Sequence, residues 1–131
     1  MTAIVAPEQF AVGDRVLHDF EIKTVKEMKD GRVFSVSDGY FETSGYHLAV
    51  VPSTERNRDI SEDFRLSYQA LRKLCPMLDF ARIRTFYVNL WLLAIEDPTQ
   101  EQAAYQRMVN FQRAAVLVYR TELEGIRLFR D

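Results

Sequence analysis

Cysteine is almost absent: Cys75 stands alone in 131 residues. An internal disulfide framework and a cysteine-rich zinc site are therefore excluded. Histidine is as scarce. His18 and His47 are the only two, with no HExxH and no His-x-His spacing. Neither sign of charge dominates, since 17 basic residues face 19 acidic ones and leave a net charge of -2. That balance disfavours a strongly basic nucleic-acid binder and a strongly acidic charge mimic. Long hydrophobic runs are missing as well. The longest nearly apolar stretch, Tyr87 to Ile95, is interrupted by Asn89 and bracketed by Arg84 and Glu96. A membrane span needs about 20 residues, so this stretch predicts a buried core helix. The opening MTAIVAPEQF has no basic leader and too short an apolar run for a signal peptide. An intracellular, cytoplasmic setting with a free Cys75 thiol is expected.

Catalytic signatures are scarce too. There is no Gly-x-Ser-x-Gly elbow, no phosphate loop and no dinucleotide fingerprint. Gly31, Gly39 and Gly45 are spaced as hairpin turns. No cofactor and no enzymatic activity are expected. A metal could gather His18, His47 and Asp14 or Asp19, but ordinary strand histidines are the simpler reading. A small enzyme built on His18, His47 and Asp19 ranks last among the functional classes. Cys75 precedes Pro76 at a helix end, where the negative dipole end raises rather than lowers a thiol pKa. A small buried hydrophobe is the reading favoured there.

The residues that are present make a globular chain, 47% hydrophobic and 12% aromatic. The length predicts one compact domain, or two small units sharing one core. Two halves differ in composition. Residues 1–52 carry 5 basic and 8 acidic residues and all the glycines but Gly125; residues 53–131 carry 12 basic and 11 acidic.

The first half reads as β. Phe10 to Val16 is a candidate strand interrupted by Gly13-Asp14. Ile22 to Met28 alternates imperfectly, which predicts a bulge. Asp30-Gly31 is a hairpin signal, because both central residues of a type I′ turn need positive φ. Arg32 to Ser37, Tyr40 to Thr43 and Tyr46 to Val51 complete a meander that Pro52 ends. Curling into a small barrel would remove its exposed edges. Val12-Gly13-Asp14-Arg15-Val16, an alternating strand and Asp30-Gly31-Arg32-Val33 resemble small SH3-like barrels of the Tudor and KOW type. The resemblance covers about a third of the chain and implies a fold, not a function.

A polar linker is expected over 53–60, then a three-helix unit over 61–131. Ser61 predicts an N-cap, and Phe64, Tyr68 and Leu71 a buried stripe. Pro76 stops that helix near Leu74. Asp79 caps a second helix that is apolar nearly all round, the mark of a central helix. Asp97-Pro98-Thr99 breaks it, and Thr99 with Gln102 fits a capping box for a third helix beginning at Gln100 and running to about Leu128. The fold class is therefore α+β: a small antiparallel β-meander or SH3-like barrel, then a three-helix bundle.

Arginine is in excess over lysine, 13 to 4. Arg56, Arg58, Arg65, Arg72, Lys73, Arg82 and Arg84 make one basic stretch. Arg113, Arg120 and Arg127 recur every seven residues, so they form a stripe on the third helix. Either group reads as a solvated face or as a surface for an acidic partner or a nucleic-acid backbone. In the β half, neighbours Tyr40 and Phe41 fall on opposite strand faces, so one should be exposed unless the helices cover it. The expected role is a non-enzymatic protein-protein interaction module that self-associates, as a homodimer for example, through its helices. Arg32, Tyr40 and Tyr46 would line a β groove, and Arg113, Arg120 and Arg127 a helical surface. The alternative is a nucleic-acid-associated accessory protein.

Overall fold

In the computed structural model, residues 10–130 are described, and their side chains over residues 10–122. Five strands come first: β1 (Arg15–His18), β2 (Glu21–Lys29), β3 (Arg32–Ser37), β4 (Glu42–Ser44) and β5 (Val50–Pro52). Three helices follow: α1 (Glu55–Leu74), α2 (Phe80–Glu96) and α3 (Glu101–Arg130). The sheet is antiparallel with the order β4-β3-β2-β1-β5.

Local chemistry explains each hairpin. Asp30 and Gly31 take φ of +51° and +73° between the paired residues Lys29 and Arg32, as the Asp-Gly signal predicts. The uneven alternation of β2 appears as register shifts around Glu27. The β1–β2 hairpin is the unexpected one. Its two-residue loop is Asp19-Phe20, both at positive φ, +48° and +56°. A bulky residue there is strained. Phe20 is nonetheless held, because its buried ring meets Tyr68 edge-on at 5.6 Å and Trp91 at 6.4 Å.

The sheet has a core on each face. Leu17, Phe20 and Val51 join Phe64, Tyr68, Leu71, Tyr87, Trp91 and Met108 in one cluster, so sheet and helices pack together. Val16, Val25, Val33, Val36 and Val50 form a second cluster, covered in part by Phe10, Met28 and Leu48. α2 packs against both α1 and α3, the central position its apolar circumference predicts.

Four expectations need correction. The SH3-like barrel does not form: β4 and β5 are the two ends of an open sheet. The first strand starts at Arg15, because Asp14 folds back on Ala11 in a turn, with the Ala11 N–H donating to Oδ2 of Asp14 at 2.8 Å. The 53–60 segment is helix from Glu55. Thr54 is the cap, accepting from the Asn57 N–H at 3.1 Å, and Ser61 lies buried two turns in. Asp97, not Thr99, opens the last helical stretch: it accepts from the Thr99 N–H at 3.0 Å and starts a 3₁₀ turn over Pro98–Gln100 that leads into α3. The stop at Leu74 and the Asp79 cap stand as expected.

Candidate functional site

The arginines of the basic stretch are largely engaged within the chain. Arg56 donates to the carbonyls of Ala94 at 3.0 Å and Ile95 at 3.3 Å, and to Glu101 at 2.7 Å. It thus satisfies the carbonyl end of α2 and ties it to the starts of α1 and α3. Arg65 pairs with Glu62, and Arg82 with Asp79. Arg84 lies 3.7 Å from Asp19 and 3.5 Å from Glu21, with its guanidinium over the Phe20 and Tyr68 rings. Arg72 lies over Tyr68 and Phe80. Much of the local positive charge is therefore spent on intrachain contacts.

Arg113 and Arg120 differ. Both are exposed on α3, and neither makes an ion pair among the described residues. Together with Val109, Gln112, Val116 and Leu117 they line an open groove of about 410 Å³. Their spacing is that of one helical stripe: i, i+3, i+4, i+7, i+8, i+11. The side chain of Arg127, the third member of the expected series, lies outside the described residues, as do those of Leu123 and Glu124.

The groove lies along the side of α3 that α1 and α2 leave uncovered. α3 has 30 residues, about 45 Å, whereas α1 has 20 and α2 has 17. Ala104 and Met108 are buried against the shorter helices, and Phe111 and Ala115 pack beside them. Val116 and Tyr119 continue that packing, but between them Leu117 and Val118, equally apolar, turn out to solvent. Leu117 is 66% exposed and Val118 54%. A helix apolar on every side is normally covered by something.

Of the expected β-groove residues, one is on β3 and two are in the bends that flank β4. Arg32 is exposed at the start of β3, opposite Lys29. Tyr40 sits at the tip of the β3–β4 turn and Tyr46 just after β4; they are 92% and 98% exposed, and Phe41 is 72% exposed. The Asp38 carboxylate fixes that turn, accepting from the N–H groups of Tyr40 and Phe41 at 2.9 and 2.8 Å. Those two bonds hold its pKa below the usual carboxylate value.

The two histidines form no metal cluster: among the described residues no group of three or more His, Cys, Asp or Glu could hold an ion. His18 is buried on β1, with Nε2 3.7 Å from Asp19 and no partner for Nδ1. Burial pushes its pKa below the ordinary 6.5, and the charges of Lys23 and Arg84 add to this against Asp19 and Glu21. The unfolded chain thus takes up this proton first as pH falls. The stability contribution is complete above 6.5 and is lost as pH drops through that value towards the lower native one. Chemical denaturation should show this loss as pH falls through 6.5, and His18→Gln should flatten it. An unchanged pH profile in that variant would place the loss elsewhere. Cys75 is fully buried as the cap of α1, and burial raises its thiol pKa. A depressed thiol pKa, the usual mark of a reactive cysteine, is therefore missing.

No helix among the described residues is long and apolar enough to cross a membrane. No protein-family model, no curated protein and no solved structure matches the chain.

Proposed function

We propose that this protein is a protein-protein interaction module rather than an enzyme, and that its main surface is the groove of α3. The observation that carries this reading is the apolar pair Leu117 and Val118, exposed on α3 beside the open groove that Val109, Arg113, Val116 and Arg120 line. Charge selects the occupant. From Gln102 to Thr121 the chain has no acidic residue but includes Arg107, Arg113 and Arg120. An amphipathic helix would seat its apolar residues over Val109, Val116 and Leu117 and its carboxylates beside Arg113 and Arg120. Two copies of α3 packed antiparallel would set like flank against like flank, arginine against arginine. The partner is therefore an acidic helix of another protein. A nucleic-acid backbone is the weaker occupant: the groove floor is apolar, and the other arginine group is held by Glu62, Asp79, Asp19, Glu21 and Glu101.

Quantitative affinity capture in the native host tests the reading. The wild-type chain is compared with Leu117→Glu and with the pair Arg113→Glu and Arg120→Glu. All three side chains are exposed, so the variants should fold. Removing a buried leucine contact, worth about 2 kcal/mol, should lower recovery of one specific protein at least about tenfold. The same protein should be lost with the charge-reversed pair. Identical recovery across all three chains would refute the α3 surface.

A further inference from the structure

A second concave surface lies apart from the α3 groove. The β1–β2 hairpin and α1 enclose a cleft of about 490 Å³, within the ~300–1,000 Å³ of small-molecule sites. Its two walls differ in chemistry. The sheet wall is apolar: Leu17 and Ile22 are direct partners in the β1–β2 ladder and stand side by side on one face, with Phe20 next to them. Leu17 and Phe20 are sealed into the core, whereas Ile22 is 43% exposed. The α1 wall is polar. Residues three apart on a helix are neighbours, so Arg58 with Ser61 makes one pair and Asp59 with Glu62 the next. The first pair donates. The Ser61 hydroxyl, 2% exposed, accepts from the Trp91 Nε1–H, and its own proton has no acceptor among the described residues. Arg58 spends only Nη1, on Ser53, which leaves Nε and Nη2. The second pair accepts. Asp59 has no ion pair among the described residues, and the Glu62 carboxylate keeps lone pairs beyond those that Arg65 takes. The other charges on the cleft are matched within the chain, Arg65 by Glu62 and Glu21 by Lys23 and Arg84.

We propose that this cleft binds a free apolar α-amino acid. The ligand carboxylate accepts from Arg58 and Ser61, its ammonium donates to Asp59 and Glu62, and its side chain lies on Leu17, Phe20 and Ile22. The charge pattern selects this class. An anion alone would meet Asp59 and Glu62 with nothing to offer them, and a cation alone would face Arg58. A wholly apolar molecule would cover the Ser61 proton without an acceptor, which costs free energy. A peptide end brings only one of the two charges. An α-amino acid carries both on one carbon, which suits a donor pair and an acceptor pair set side by side on one helix face. The hydrocarbon part then covers Ile22, the side chain that the helices leave exposed on that face. The site is independent of the α3 groove, since no residue lines both.

Isothermal titration calorimetry on the full chain tests this, with L-leucine and L-phenylalanine as probes. At least one should bind saturably with a dissociation constant below about 1 mM. Isocaproate lacks the ammonium of leucine and isoamylamine lacks its carboxylate, so each should bind at least about tenfold more weakly than the amino acid. Ile22→Asn and Asp59→Asn change exposed side chains. Each should weaken binding about tenfold and leave the circular dichroism unchanged. Failure of both amino acids to bind overturns the inference. So does isocaproate or isoamylamine binding as tightly as leucine, or an affinity that either variant leaves unmoved. Leu117→Glu on α3 should titrate as wild type; a ligand lost with that variant would sit at α3 and not in this cleft. Loss of partner capture with an intact titration would fault the α3 reading and leave this one standing.

Discussion

Phe20→Ala should cost about 3–5 kcal/mol, the range for a large buried aromatic cut back in a core. Phe20 is the point where the sheet is fastened to the helices. Its ring sits against Tyr68 of α1 and Trp91 of α2, with Arg84 stacked over it at 5.1 Å. Removing it also deprives Arg84 of the surface that positions it beside Asp19 and Glu21. The backbone gives this site a second, unusual signature. With φ at +56°, any L-residue with a Cβ is strained, and only the ring contacts offset that strain. Phe20→Gly should therefore be more stable than Phe20→Ala by about 1 kcal/mol, reversing the order found in ordinary strands and helices. Urea unfolding of the three chains measures both quantities. An alanine variant at least as stable as the glycine variant would show that the hairpin does not hold this conformation.

Trp91→Ala should be as damaging, about 3–5 kcal/mol, since the indole is fully buried between the sheet and α1. The polar half of this contact can be separated from the apolar half. The Trp91 Nε1–H donates to the Ser61 hydroxyl at 2.7 Å in a site closed to water. Ser61→Ala leaves that N–H buried without an acceptor and should cost about 1–3 kcal/mol. In the double variant Trp91→Phe with Ser61→Ala both partners are gone, so the loss should be smaller than the sum of the Trp91→Phe and Ser61→Ala losses measured singly. Additive losses in thermal or denaturant unfolding would mean that the indole and hydroxyl do not interact. Ser61 was expected to open α1. Its actual role, inside the helix, is to serve a residue 30 positions away.

That displacement shows what was legible in the sequence and what was not. The Asp30-Gly31 hairpin could be read locally because both residues tolerate positive φ. Asp19-Phe20 could not, because Phe opposes that conformation and only distant rings override it. Pro76 and Asp79 marked the α1–α2 junction through backbone chemistry alone. The first turn and a half of α1 did not read as helix, because Glu55-Arg56-Asn57-Arg58-Asp59 is uniformly polar. Its support comes from elsewhere: Arg56 finds carbonyls on α2, and Asn57 finds the carbonyl of Pro52. A barrel would hide the edges of the meander, but closure depends on whether the two end strands meet, which no local pattern encodes. On α3 the seven-residue arginine spacing placed Arg113 and Arg120 on one stripe. The apolar floor beside them gained meaning only once the packing of α1 and α2 on α3 showed which of its residues stay uncovered.

The central claim is that the face of α3 around Leu117 is occupied by an acidic helix of another protein. Site-specific photo-cross-linking in the native host addresses it directly, with a photoreactive side chain at Leu117 and a control at the exposed Gln69 of α1. The account predicts one cross-linked protein from Leu117 and none from Gln69, with the attached peptide lying in a segment that pairs apolar residues with Asp or Glu at helical spacing. Cross-linking from Leu117 no greater than from Gln69, or transfer chiefly to nucleic acid, would contradict it.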